Sequence, residues 1–244
     1  MKLVTYIHHG ASHLGAIHDS QVIDLAQAHA AYQEEVGGST RPASFPEEML
    51  ALLQAGGEML PLLESIVQWA GALSPSAGAS FSRPLAGVRL AAPLSNPSKI
   101  ICVGLNYLDH CLEQDIEIPD RPILFAKFPS SVVGPEDEIV WPPDVSQKVD
   151  YEVELAVVIG RQGRHIPLDQ AYDYVAGYTI VNDVSARDVQ FADKQWIRGK
   201  SFDTFCPMGP YLLTADELPD PHDLRIRAWV NGKLRQDSNT RELI

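Results

Sequence analysis

The sequence predicts a β-rich α+β protein with a small N-terminal α+β domain, on three observations. Beyond residue 85, short apolar runs alternate with turn residues: VRLAAPL, KIICVGLN, PILFAKF, EIVWPP, YEVELAVVIG, YVAGYTIVND and LRIRAWVNGKLRQ. That is the texture of many short strands. The last run holds Asn231-Gly232 between two alternating segments, a hairpin signal because both turn positions need positive φ. Apolar residues at sustained helical spacing are confined mainly to residues 46–71.

Taken in order, residues 2–7 (KLVTYI) and 14–25 (LGAIHDSQVIDL) predict short strands, the latter turning at Asp19-Ser20. Residues 46–55 and 58–71 predict helices, with Met49, Leu52 and Leu53, then Leu62, Leu63, Ile66 and Val67 on their apolar faces. The Ser/Ala/Gly/Pro stretch 73–84 has linker composition. The expected division is therefore a small domain over 1–80 and a main domain over 81–244. Helical candidates in the main domain are 106–114, 168–174 and 185–196, and DSNTRELI at the end resembles a helix start.

Composition narrows the function classes. The chain has 244 residues and a net charge of −13, a balance that repels phosphate backbones and argues against nucleic acid. No apolar run is long enough for a membrane span, and the first residues lack the apolar core of a signal peptide, so a cytoplasmic protein is expected. Cys102, Cys111 and Cys206 are odd in number and widely spaced, unlike a disulfide framework or a zinc site. Neither GxGxxG, GxxxxGK, HExxH nor GxSxG occurs.

Chemistry is concentrated in VDYEVELAVVIG, residues 149–160. On a strand, Glu152 and Glu154 share a face about 6.6 Å apart. An E-x-E pair is most often a solvated face, but this one runs into AVVI, apolar on both faces, which predicts a central buried strand. YVAGYTIVND delivers Asn182 and Asp183 at the end of a second apolar run. Buried like charges raise one another's pKa, and a divalent cation reverses that cost. Three carboxylates without Cys or His at ligand spacing suit a hard ion: Mg²⁺, Mn²⁺ or Ca²⁺.

His110 and Glu113 stand i, i+3 on a predicted helix, a pairing suited to a general base that activates water. Arg187 and Gln190 follow Asp183, and Lys200 sits beside a glycine that permits close backbone approach. Such groups suit a substrate carboxylate or an oxyanion. Lys127 in FAKFPSS is a further candidate.

The succession GLNYLDH…E, FAKFPSSVVGP, DYEVELAVVIG, YTIVNDVSARD and GKSFDTFCPMGP resembles the fumarylacetoacetate hydrolase family, from residue 98 to the end. The resemblance implies a mixed, rolled β-sheet, a homodimer, and Mg²⁺ or a similar ion. By it, Glu152, Glu154 and Asp183 match the metal ligands and His110 with Glu113 the water-activating dyad. Arg187, Gln190 and Lys200 fall where members contact substrate, with Lys127 close by. Members of the family continue for several dozen residues beyond this point, so the main domain is expected to be truncated at Ile244.

The expected activity is metal-dependent hydrolysis of a C–C bond in a 1,3-dicarbonyl acid such as an acylpyruvate, with Lys200 stabilising the oxyanion. Two alternatives use the same residues. One is decarboxylation of a β-keto acid such as oxaloacetate, or isomerisation of an unsaturated 2-oxo acid. The other is metal-dependent binding of a keto acid without turnover.

Overall fold

The computed structural model describes residues 1–36, 45–56, 59–74 and 76–244. Glu58, the first residue of an expected helix, and Pro75 of the expected linker lie outside them. The chain forms two compact units. One takes 1–94, 157–179 and 209–217, the other 95–156, 180–208 and 218–244.

The largest sheet runs in the order Val153–Ile159, Val175–Asn182, Cys206–Thr214, Lys2–His8, Ala11–His18, Gln21–Asp24, Ser82–Pro84, and the first unit holds all of these strands except 153–156, 180–182 and 206–208. Lys2–His8 and Ala11–His18 pair antiparallel along their whole length. Their turn, His9-Gly10, has φ of 48° and 80°, the two positive values a two-residue hairpin loop requires. Asp24 ends the next strand and caps the helix Leu25–Val36, its Oδ1 accepting the Gln27 N–H at 2.9 Å. The helix Met59–Ala72 buries Met59, Leu63, Ile66, Val67 and Ala70, the period of one helical face, and packs on the first helix.

Beyond the expected linker the chain stays in the first compact unit. Ser82–Pro84 pairs with Gln21–Asp24, and Arg89–Ala91 pairs with Lys2–His8, so the first unit keeps the chain to Leu94. Backbone hydrogen bonding, which composition does not encode, sets that limit.

The second unit carries three two-stranded ribbons. Ile100–Gly104 pairs with Ile123–Lys127, Val149–Asp150 with Ser185–Ala186, and Arg225–Val230 with Lys233–Asn239. The last closes through Asn231-Gly232, φ 51° and 75°, as the sequence predicts. Short helices at Leu108–Glu113, Arg187–Ala192 and Ile197–Lys200 complete it, over a core of Val184, Ala186, Val189 and Phe205. The terminal segment makes a short 3-10 turn, Thr240–Glu242, with the Asn239 side chain accepting from the Arg241 N–H.

The strand after the carboxylate pair differs from expectation. Val153–Ile159 ends the sheet order instead of lying in its middle, and Val157 and Ile159 are 50% and 62% exposed. Apolar sequence on both faces thus marks a strand end left uncovered within the chain. Glu152 precedes this strand, and Glu154 is its second residue.

Candidate active site

The second unit brings the carboxylates together through its backbone. The Asp183 N–H donates to the Glu152 carbonyl at 2.8 Å, and the Glu152 N–H donates to Asn182 Oδ1 at 3.2 Å. The pairing of Val149–Asp150 with Ser185–Ala186 holds this register. Two segments separated by thirty residues therefore present Glu152 and Asp183 side by side.

Three cations meet these carboxylates. Lys200 Nζ lies 2.6 Å from Glu152 Oε2 and 2.8 Å from Asp183 Oδ2. Arg187 places NH2 2.7 Å from Glu152 Oε1 and 2.9 Å from Asp150 Oδ2, while NH1 donates to Gln190 Oε1 at 3.2 Å. Lys127 Nζ is 2.6 Å from Asp183 Oδ1 and also donates to the carbonyls of Val184 and Lys200. Burial opposes ionisation of Asp183, but Lys127 and Lys200 outweigh it and hold the carboxyl below its ordinary range.

Lys127, expected at the substrate, is fully buried with its ammonium committed to protein acceptors. It is a strut that ties Asp183 to the backbone of Lys200. Gly199 explains how Lys200 reaches the centre: helix Ile197–Lys200 lies in backbone contact with Gln190, where a Cβ would fall 2.6 Å from the Gln190 nitrogen. Phe125 supplies an aromatic face 4.9 Å from the Lys200 ammonium.

Glu154 makes no ion pair among the described residues. It is half-buried, and its carboxylate accepts no hydrogen bond from the described residues. Burial, then the charges of Glu152 and Asp183, push its carboxyl up to about 8. The same carboxylate helps burial raise the Tyr107 hydroxyl to about 12, which sets the start of the His110 helix beside this centre.

His110 is exposed on helix Leu108–Glu113, but its partner is not Glu113. The Gln114 amide nitrogen lies 2.8 Å from His110 Nε2, and among the described residues Glu113 makes no ion pair with the ring. The i, i+4 neighbour has taken the place of the i, i+3 neighbour, as helix geometry equally allows. The sequence reading also missed Asp150, which clamps Arg187. The run DYEVE, with acids at every second position, carried that signal.

The fumarylacetoacetate (FAA) hydrolase C-terminal family matches residues 99–244. The chain belongs to the fumarylacetoacetate hydrolase family. It is 43% identical over 230 residues to the mitochondrial oxaloacetate tautomerase Fahd2a of Rattus norvegicus, covering 92% of this chain and 70% of that protein. It is 53% identical over 163 residues to the Homo sapiens oxaloacetate tautomerase FAHD2A, of which it spans about half, 52%. The fumarylacetoacetate hydrolase structure of Exiguobacterium antarcticum superposes with a TM-score of 0.77 at 34% identity, over the whole of this chain and 76% of that one. Maleylpyruvate hydrolase of Sphingobium sp. SYK-6, in complex with manganese and pyruvate, gives 0.74 at 29% identity, covering 100% and 78%.

The donor set of this family member fits a hard divalent cation. It offers three carboxylates, and one of them, Glu154, is crowded by like charge with no hydrogen bond to offset it. As the side chains stand, no three His, Cys, Asp or Glu among the described residues converge on one ion position. The Lys200 ammonium bridges Glu152 and Asp183 instead.

Proposed function

We propose that this member of the fumarylacetoacetate hydrolase family interconverts the keto and enol forms of a 2-oxo dicarboxylic acid of the oxaloacetate type. The observation that carries this reading is the setting of His110, whose ring is held by the neutral Gln114 amide and not by the Glu113 carboxylate. Activation of water for C–C hydrolysis gains from a carboxylate behind the imidazole, whereas enolisation needs only a base, an acid and a stabilised enolate. The 43% identity to an oxaloacetate tautomerase over 92% of the chain supports the same reaction.

In this reading Glu152, Glu154 and Asp183 hold the ion, which when bound supplies Lewis-acid stabilisation of enolate charge. His110 removes the proton from C3 of the keto acid at a ring nitrogen. Lys200 faces the developing enolate oxygen, and returning a proton to that oxygen completes the enol with no net change in atoms. Arg187, aligned by Asp150 and Gln190, takes the remote carboxylate.

Hydrolysis of an acylpyruvate is the second reading, favoured by the likeness to a maleylpyruvate hydrolase that holds manganese and pyruvate. The test supplies enol-oxaloacetate to the purified chain with Mn²⁺ and follows loss of enol absorbance alongside product analysis. Accelerated ketonisation without CO₂ is expected. Cleavage of acylpyruvates into two acids, with no effect on the enol signal, would return the hydrolase reading, and CO₂ release would point to decarboxylation.

Self-association is part of the proposal. In ribbon Ile100–Gly104/Ile123–Lys127, one face carries Phe125 and Lys127 towards the charged centre. The other carries Ile101, Val103 and Leu124, which are 63%, 40% and 64% exposed. An apolar patch backing a site supports burial against a second copy.

A further inference from the structure

We propose that Lys200 and Arg187 are internal counter-ions that compete with the divalent cation for Glu152, so that ion binding releases them to an anionic substrate. This rests on the reading of Glu152, Glu154 and Asp183 as the ion's ligands. Both oxygens of Glu152 are already taken, Oε1 by Arg187 at 2.7 Å and Oε2 by Lys200 at 2.6 Å. Asp183 is likewise divided, Oδ2 to Lys200 and Oδ1 to Lys127. An ion entering this cluster has to displace an ammonium that is only 2% exposed.

The two lysines are not equivalent. Lys127 has backbone carbonyls at Val184 and Lys200 in addition to Asp183, so it stays satisfied if Asp183 turns to an ion. Among the described residues Lys200 has two carboxylates and the face of Phe125, with no neutral acceptor. Once an ion engages those carboxylates, Lys200 retains only the aromatic face, and a substrate carboxylate or enolate is the natural replacement. Arg187 keeps Asp150 when it loses Glu152, so its guanidinium remains aimed while one N–H edge comes free. Ion first and anion second follows from this wiring.

The test is a calorimetric titration of Mn²⁺ alone into chelator-stripped protein, comparing wild type with Lys200→Met and Arg187→Met. Each variant is expected to bind Mn²⁺ about ten-fold tighter, because a positive charge within a few ångströms of the ion has been removed. Each should also bind oxalate, an unreactive dianion, less well than wild type in the presence of saturating Mn²⁺. Lys200→Met takes one cation from each of two carboxylates, leaving Glu152 to Arg187 and Asp183 to Lys127, and puts folding at some risk; Arg187, with 25% of its side chain exposed, carries the same comparison at less cost to the fold. Unchanged or weaker Mn²⁺ binding by the variants, while wild type binds, would overturn the competition and leave the ion site standing. Absence of Mn²⁺ binding by wild type, or binding that Glu152→Gln does not diminish, would remove the ion site and this inference together.

Discussion

Gly199 and Gln190 touch through their backbones: a methyl carbon on Gly199 would lie 2.6 Å from the Gln190 nitrogen and 2.8 Å from its Cα. The helix carrying Lys200 is thereby seated against the helix carrying Arg187 and Gln190. Gly199→Ala has to push these helices apart, since the obstacle is backbone and not a flexible side chain. It is expected to cost about 1–3 kcal/mol in urea denaturation. Turnover should fall more than stability alone explains, because Lys200 and Arg187 move together. A variant with wild-type stability and activity would show that the contact relaxes freely.

Lys127→Met tests the buried strut. Removing one partner of a buried ion pair leaves the other uncompensated, typically at about 3–5 kcal/mol. The lower end is expected here, because Asp183 retains Lys200 at 2.8 Å. The denaturation midpoint is the measurement, and a shift no larger than that of a surface lysine would contradict the assignment.

The pH dependence of the ion-free chain follows from Glu154 and Asp183. Below its ordinary 4.5 the Glu154 carboxyl is protonated in folded and unfolded chains alike, but the folded form holds the proton up to about 8. The folded chain therefore binds more protons across that interval, and its stability falls as pH rises through it. Asp183, held low, acts oppositely: its contribution is present above the ordinary 3.8 and is lost as pH falls further. Denaturation between pH 4.5 and 8 in chelator should slope downward for wild type and lie flatter for Glu154→Gln. Equal slopes would exclude Glu154 as the source.

Gln114→Leu and Glu113→Gln separate the two settings of His110. If Gln114 aligns the imidazole, Gln114→Leu should lower kcat about ten-fold with little change in KM, within the usual reach of positioned acid–base catalysis. Glu113→Gln should leave ketonisation near wild type. The reverse ranking would restore the carboxylate–imidazole pair and, with it, hydrolysis.

Leu124→Glu places a charge in the exposed face formed with Ile101 and Val103. Sedimentation velocity should show association in wild type and its loss in the variant, with secondary structure retained. A monomeric wild type would sink the self-association proposal.

Much of this architecture was legible along the chain. The Asn231-Gly232 hairpin and the helix over 59–72 were readable because turn φ requirements and apolar period are local properties. So was the gathering of Glu152, Asp183, Arg187 and Lys200, through motifs in a particular order. The helix Leu25–Val36 is not legible in the sequence, since it buries only Leu25, Ala28 and His29 and so shows little apolar periodicity.

Local sequence sufficed for the strand-rich class, the family and the residue types of the charged centre, because alternation, turn chemistry and motif order are written in neighbouring positions. Tertiary structure alone decided which charge meets which. Lys127 became a buried strut, and Lys200 came to bridge Glu152 and Asp183. Those outcomes depend on a few ångströms of separation between segments distant in sequence. Coulomb energy at such range, between side chains as buried as Lys127, Lys200 and Asp183, outweighs any preference a residue carries alone.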